Sequence, residues 1–229
     1  WVYKQKWLDQ LLLLIEKDPQ INMYTFNQYR QKYKPKKTVK IPHSSYSEMM
    51  EWSGGHFDNF FSKYPESRYM RDRMTGVSGV VEKKFPRKNK ALFEKARKTL
   101  YMAQCNCSYW HGVFGGLYLH HLRSAVFENL IKVENWMNEA APEAGRPKGA
   151  RTQKLSLESG DRWLIRQKET VSFFNPKYGA SLEEFDYTPM AVNLMCNLQR
   201  RRESYHHLLS QNGNGSADAP FSIHQLLGT

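Results

Sequence analysis

Cysteine is scarce in this sequence: Cys105, Cys107 and Cys196 are the three in 229 residues. Three thiols build no disulfide framework and suit a reducing compartment, so a cytoplasmic location is expected. Long apolar runs are missing too. The cluster Leu11 to Ile15 falls far short of the roughly 20 residues needed to span a bilayer; it reads as a buried helix turn, and no membrane partner is expected. Zinc-type spacing is absent. Cys105 and Cys107 are separated by one residue, tighter than structural zinc sites use, and no second pair follows. The adjacent pairs His120-His121 and His206-His207 diverge by about 100° on a helix and cannot share a face. No metal and no cofactor are expected. A thiol nucleophile at Cys107 would need a base on the same face; His111 is followed at once by Gly112, so a buried or inert thiol is the expectation there.

Acidic residues are outnumbered 22 to 34 by lysine and arginine, which leaves a net charge of +12. That balance admits a basic helical module for nucleic acid as one reading. The charge is nevertheless spread along the chain, and its one dense run, Lys32 to Lys40, is broken by Pro35 and reads as a solvated loop. No nucleic-acid partner is expected. Hydrophobic residues make up 40% and aromatics 14%, enough for a real core. The sequence opens at Trp1 in what reads as the middle of a helix and closes at Thr229 just after an apolar stretch. Both ends therefore read as interior to a longer polypeptide.

Helical periodicity dominates the first two-thirds. Leu8, Leu11, Leu12 and Ile15 share a face until Asp18-Pro19 stops the helix. A shorter helix is expected over Tyr24 to Tyr33 with Asn22 as its cap, then an extended stretch between Pro35 and Pro42. A short helix over Ser47 to Trp52 should end at Gly54-Gly55. Phe57, Phe60, Phe61 and Tyr64 form an aromatic face before Pro65. Met70, Met74, Val77 and Val81 continue the pattern to residue 84, with the methionines as core filler. Leu92 to Ala103 forms another helix after Asn89, and Leu119 to Met137 a long one after Gly115-Gly116. Helices with single apolar faces must pack on one another or on another domain.

Composition shifts over 138–153, which reads as a linker. Beyond it strands are expected at Trp163–Ile165, Val171–Phe174, Leu182–Tyr187 and Ala191–Leu198, with a turn at Asn175–Gly179. A helix is expected over Arg200–Leu209 and a flexible loop over Ser210–Pro220. The fold class is therefore α+β: a mainly α-helical bundle (1–137), a linker (138–153) and the beginning of an antiparallel β-sandwich (154–229).

The chemistry concentrates in one bend, Ala103 to Gly116 (AQCNCSYWHGVFGG). An indole can lie on the apolar face of a pyranose, while Asn106 and His111 can exchange hydrogen bonds with sugar hydroxyls. Glycines let the backbone turn sharply. The competing reading is that an aromatic-rich bend simply packs.

The run Gln104-Cys105-Asn106, Tyr109-Trp110-His111-Gly112, Phe114-Gly115-Gly116-Leu117-Tyr118-Leu119 and His121-Leu122-Arg123 resembles the last conserved region of family 57 glycoside hydrolases, in their 4-α-glucanotransferase and α-amylase branch. Trp1 to Leu8, Tyr46 to Trp52, Asn59 to Glu66, Phe174 to Tyr187 and Arg200 to His206 resemble further pieces in the same order, so the likeness covers nearly the whole chain. It implies a retaining double displacement on α-glucans by a Glu nucleophile and an Asp acid/base, with the carboxyls roughly 5–5.5 Å apart. In the family both sit on an N-terminal barrel, which places them upstream of Trp1; no catalytic residue is assigned here. The likeness makes this chain one wall of the glucan cleft, with α-1,4-glucans or maltooligosaccharides and the missing N-terminal barrel as partners. Trp110 is the expected sugar platform, with Tyr109, His111 and Asn106 as hydrogen-bonding or positioning neighbours. One departure stands out: the family pattern reads Cys-Asn-Asp where this sequence has Cys105-Asn106-Cys107, removing a charge-assisted acceptor. A noncatalytic carbohydrate-binding or scaffolding module is the alternative that keeps the same platform.

Overall fold

The computed structural model describes residues 2–42, 44–112, 115–140 and 150–203. The chain forms two compact units, residues 1–43 and 44–229. In the first, α1 (Trp7–Lys17) ends at Asp18 as expected. The second helix, α2 (Phe26–Lys32), is capped by Thr25 rather than Asn22: the Thr25 hydroxyl accepts from the Gln28 amide, and the Gln28 side chain accepts from the Thr25 amide. No residue of either helix is buried, and Leu14 is 68% exposed. The expected burial of Leu11 to Ile15 is thus corrected. An apolar stripe is buried only where a partner covers it, and Leu11 and Ile15 are only half-buried.

The second unit begins with two short helices, α3 (Ser47–Trp52) and α4 (Asn59–Lys63). Three longer ones follow: α5 (Pro65–Lys84), α6 (Lys90–Ala103) and α7 (His120–Ala140). Pro65 opens α5 at a position where the missing amide hydrogen costs nothing. Asn89 caps α6 through its side-chain oxygen on the Leu92 amide at 3.0 Å. Their apolar faces meet in one core that includes Phe60, Met70, Val77, Val81, Ala96, Leu100, Val126, Leu130 and Val133.

A five-stranded antiparallel meander follows: β1 (Arg151–Leu157), β2 (Gly160–Arg166), β3 (Thr170–Asn175), β4 (Ser181–Tyr187) and β5 (Val192–Asn193). Leu164 pairs with Phe173, Phe173 with Glu184 and Val171 with Asp186. The period of two puts these residues on the buried face. The α+β class holds, with helices first and the antiparallel sheet after them.

Several expectations change. Strand β1 lies partly in the stretch read as linker; most of its side chains are exposed, so it lacks the alternation that marks a strand. The strand expected over Ala191–Leu198 shrinks to Val192–Asn193, because the Asn193 side-chain oxygen accepts from the Phe185 and Met195 amides and turns the chain. Arg200–Glu203 is irregular rather than helical. Residues 204–209 of that expected helix, the loop at 210–220, His206-His207 and most of the linker (141–149) lie outside the described residues.

Polar contacts join helices to sheet, beside the apolar packing of Leu157 and Ala191 on the helical core. The Arg73 guanidinium, on α5, donates to Glu134 of α7 at 3.0 and 3.1 Å and to Glu184 of β4 at 3.0 and 3.1 Å, and it lies 4.3 Å from the Phe173 ring. Tyr69 donates its hydroxyl to Glu184 at 2.5 Å. Burial and the neighbouring Glu184 push the Asp186 carboxyl well above its ordinary range, only partly opposed by Arg73. Neither of its oxygens meets a donor, as suits a carboxyl that keeps its proton.

Candidate functional site

The bend at 104–119 leaves α6 at Gln104 and enters α7 at His120. Between them Asn106–Ser108 and Gly116–Tyr118 form single 3₁₀ turns; Val113 and Phe114 lie outside the described residues. Two contacts fix the bend to the core. The Ser67 hydroxyl donates to the Tyr109 carbonyl at 2.5 Å, and the Leu117 amide to the Trp110 carbonyl at 2.8 Å.

Two glycines are required by the Trp110 indole and backbone. A Cβ at Gly112 would stand 2.5 Å from Cζ3 of the indole, and one at Gly116 would stand 2.2 Å from the Trp110 carbonyl oxygen. Gly116 also has φ +43, which L-residues rarely adopt. The Trp110 ring is half-buried in an aromatic setting, tilted against Phe60 at 5.5 Å and meeting Tyr46 edge-on at 6.0 Å. Tyr46 is itself exposed. Adjoining Phe60, a depression of about 380 Å³ is lined by Glu51, Trp52, Asn59 and Lys63 among others.

The four residues singled out from the sequence fall into two pairs. Trp110 is half-buried and Asn106 exposed. Tyr109 and His111 are 4% and 2% exposed. The Tyr109 hydroxyl donates to the Ala103 carbonyl at 2.6 Å, and burial, then the nearby Cys105, push it far above the usual phenol range. The His111 ring stands edge-on to Tyr118 at 4.6 Å and to Trp52 at 5.2 Å, with Nδ1 3.1 Å from the Gly115 carbonyl. Cys105 and Cys107 are both exposed, so of the expected buried or inert thiol the burial does not hold for Cys107; partial desolvation and the adjacent Cys105 push its thiol up, away from the reactive thiolate.

Glu203 stands behind this cluster; in the sequence it lies within the Arg200 to His206 likeness but is assigned no role. Buried to 3% exposure, it accepts from the Tyr64 and Tyr118 hydroxyls, each at 2.7 Å, and from Lys63. Burial alone would push its carboxyl up; the bonds from Lys63, Tyr64 and Tyr118 outweigh that and hold it below its ordinary value. Tyr118 carries His111, and Tyr64 stacks at 6.3 Å on the Phe60 that carries Trp110. A single carboxylate thus braces both sides of the aromatic cluster. Among the described residues no group of three or more His, Cys, Asp or Glu side chains is placed to hold a metal, and no helix is long and apolar enough to cross a membrane.

Comparison with known proteins shows which family the chain belongs to. Residues 55–137 match the family described as alpha-amylase/4-alpha-glucanotransferase, middle domain, and residues 159–229 its C-terminal counterpart. An α-amylase of Pyrococcus furiosus is 36% identical over an alignment of 256 positions, covering 99% of this chain and 36% of that protein. A 4-α-glucanotransferase of Thermococcus kodakarensis is 34% identical over 261 positions, covering 99% of this chain and 37% of that protein. The crystal structure of 4-α-glucanotransferase from Thermococcus litoralis superimposes with a TM-score of 0.63 at 32% identity, over 90% of this chain and 34% of that one. The chain thus spans about a third of the length of the curated relatives it matches. Matching both of their later domains in order, it belongs to the α-amylase/4-α-glucanotransferase family of family 57 glycoside hydrolases.

Proposed function

We propose that this chain forms one wall of the glucan cleft of a retaining α-glucan-active enzyme, a 4-α-glucanotransferase or an α-amylase, whose catalytic Glu and Asp lie on a barrel preceding Trp1. The helical part (1–137) carries the cleft wall, and the part from 154 onward begins the β-sandwich. The observation that carries the reading is the half-buried Trp110 indole, pinned by Phe60 and Gly112 with Tyr46 on its edge. A rigid ring of this kind can lie along a pyranose face at little entropic cost. Asn106, exposed on the same bend, supplies an amide for hydroxyls. Tyr109 and His111 act by holding the bend in place, because their polar atoms turn to the Ala103 and Gly115 carbonyls. The exposed leucines of α1 are the surface on which the missing barrel would pack. Three free cysteines favour a cytoplasmic setting.

The test is Trp110→Ala in the full-length enzyme and in this chain, with maltoheptaose binding followed by calorimetry. Loss of a stacked ring should weaken binding by about tenfold or more, 1.4 kcal/mol being a factor of ten, and should slow turnover. Unchanged affinity and turnover would reject the cleft-wall role. A noncatalytic carbohydrate-binding module would instead show the binding loss in a protein that lacks turnover at full length. A nucleic-acid module would show binding to phosphate polymers that falls steeply with salt.

A further inference from the structure

Away from the Trp110 bend, a cavity of about 460 Å³ opens between α5, α7 and the sheet. Five cationic residues line it, Arg68, Arg123, Arg162, Lys177 and Arg201, against two carboxylates, Glu66 and Glu183. The carboxylates are already spent. Glu183 accepts from Arg162, and Glu66 pairs with Arg201 at 2.9 Å. Three cations remain. Lys177 has no carboxylate within 4.0 Å among the described residues, and Arg68 has one, the exposed Glu158 at 3.8 Å.

Arg123 is the unusual member. It is 6% exposed, and its guanidinium donates to the Leu117 carbonyl at 2.7 Å and the Cys196 carbonyl at 3.2 Å. Its Nε has no partner, nor has that of Arg68, and no carboxylate among the described residues lies within 4.0 Å of Arg123. Carbonyls solvate a buried guanidinium without neutralising it, and a buried charge lacking a counter-charge is costly. Walls of low dielectric focus such a field into the space they enclose. The same cavity offers neutral polar groups: the Asn197 amide and the hydroxyl of the exposed Tyr178 make no side-chain hydrogen bond among the described residues. Its volume falls in the range of small-molecule sites and exceeds what an inorganic anion fills.

We propose that this cavity binds a small phosphorylated polyol such as a sugar phosphate, with the phosphate in the field of Arg123, Arg68 and Lys177 and the hydroxyls on Asn197 and Tyr178. Arginine suits phosphate because its planar fork meets two oxygens at once. The site is separate from Trp110 and does not rest on the cleft-wall reading.

The experiment compares glucose 1-phosphate, glucose and inorganic phosphate by calorimetry and by the shift in unfolding temperature, on the wild-type chain and on Arg68→Met/Lys177→Met. These two side chains are less buried than Arg123, so their loss spares the fold, and unfolding in the absence of ligand checks this. Glucose 1-phosphate should bind and raise the unfolding temperature, inorganic phosphate should bind more weakly, and glucose should do neither in the Trp110→Ala background, where the proposed glucan platform is absent. The double variant should lose at least tenfold in affinity for glucose 1-phosphate, while Trp110→Ala should leave that affinity unchanged. No binding of either phosphate at millimolar concentration, equal binding of glucose in the Trp110→Ala background, or an unaltered affinity in the double variant would each overturn the site. Inorganic phosphate binding as tightly as glucose 1-phosphate would overturn its sugar half.

Discussion

Three glycines provide a matched test of how tightly the bend holds its indole. Gly76 and Gly79 lie in the interior of α5, and a Cβ at either meets nothing within 4 Å. Alanine there should stabilise by about 0.5–1 kcal/mol each, because glycine is the costlier residue in a helix and has more freedom to lose on folding. Gly112→Ala removes a similar amount of unfolded-chain freedom but places a methyl group 2.5 Å from Cζ3 and 2.7 Å from Cη2 of Trp110. Carbon atoms sit comfortably about 3.5–4.0 Å apart, so the indole must retreat by roughly 1 Å. Phe60 and the 3₁₀ turn behind it oppose that retreat. Overpacking of this kind costs about 1–3 kcal/mol. The Gly76 and Gly112 variants should therefore differ by about 1–3 kcal/mol, or roughly 2–12 °C in unfolding temperature for a unit of this size. Urea and thermal unfolding followed by tryptophan fluorescence would read the gap, and maltoheptaose affinity should fall about tenfold or more in the Gly112 variant alone. A Gly112→Ala protein as stable as Gly76→Ala, with its sugar affinity intact, would refute the close packing of ring on glycine.

Arg73→Met strands Glu184 and Glu134 without their cation and should cost about 3–5 kcal/mol in urea unfolding; adding Glu184→Gln should recover part of the loss, and no recovery would argue against a charge-based cause. Asp186 binds its proton more tightly folded than unfolded, so its contribution is fully present below pH about 3.8 and is lost as pH rises toward the folded value. Asp186→Asn should flatten that limb of the stability–pH curve without harming stability at neutral pH. Glu203 has the opposite sign: its contribution is present above pH about 4.5 and lost as pH falls through the lower folded value. Glu203→Gln should remove that acid limb and alter the fluorescence of Trp110, whereas an unchanged acid limb would remove Glu203 from the bracing role.

The parts legible in the sequence are those written in local spacing. Met70, Val77 and Val81 announced α5 by their period, Asn89 announced the start of α6, and Gly115-Gly116 announced the break before α7. Trp110 stood out because an indole flanked by glycines is conspicuous whatever surrounds it. The direction a side chain faces was not legible. Tyr109 and His111 are as polar on paper as Asn106, yet they point inward, because partners far along the chain (Ser67 and Trp52) fix the bend. Glu203 reads as one more charge in an arginine-rich run; its partners Tyr64 and Tyr118 are 139 and 85 residues away. The opposite error occurred at Leu11 to Ile15, where composition promised burial that the described residues of that unit do not supply. Strand β1 was missed because its ladder partner β2, not its own composition, makes it a strand.

The way the sheet is attached connects these features. Its own apolar core is small, built on Leu164, Val171 and Phe173 with Leu155 against them. Three aliphatic and aromatic side chains cannot fix the angle at which a five-stranded sheet sits on helices, because apolar contact is nearly indifferent to rotation. Hydrogen bonds between ions are directional. Arg73 reaches α7 and β4 at once, Tyr69 reaches the same Glu184, and the Asp72 carboxylate accepts from the Ser159 amide at 2.8 Å. Three residues within one turn and a half of α5 thus hold the sheet by groups that tolerate little displacement. The chain leaving the sheet then returns to the helices, where Gln199 donates its amide to Glu66 and Glu203 takes its place beneath Tyr64 and Tyr118. A tilt of the sheet would therefore be felt at the carboxylate that braces the Trp110 cluster. This ties the two matched family segments into one mechanical piece, the polar links of Arg73 and Glu203 adding direction to the apolar core that runs from Met70 and Val77 to Phe60 and Trp110.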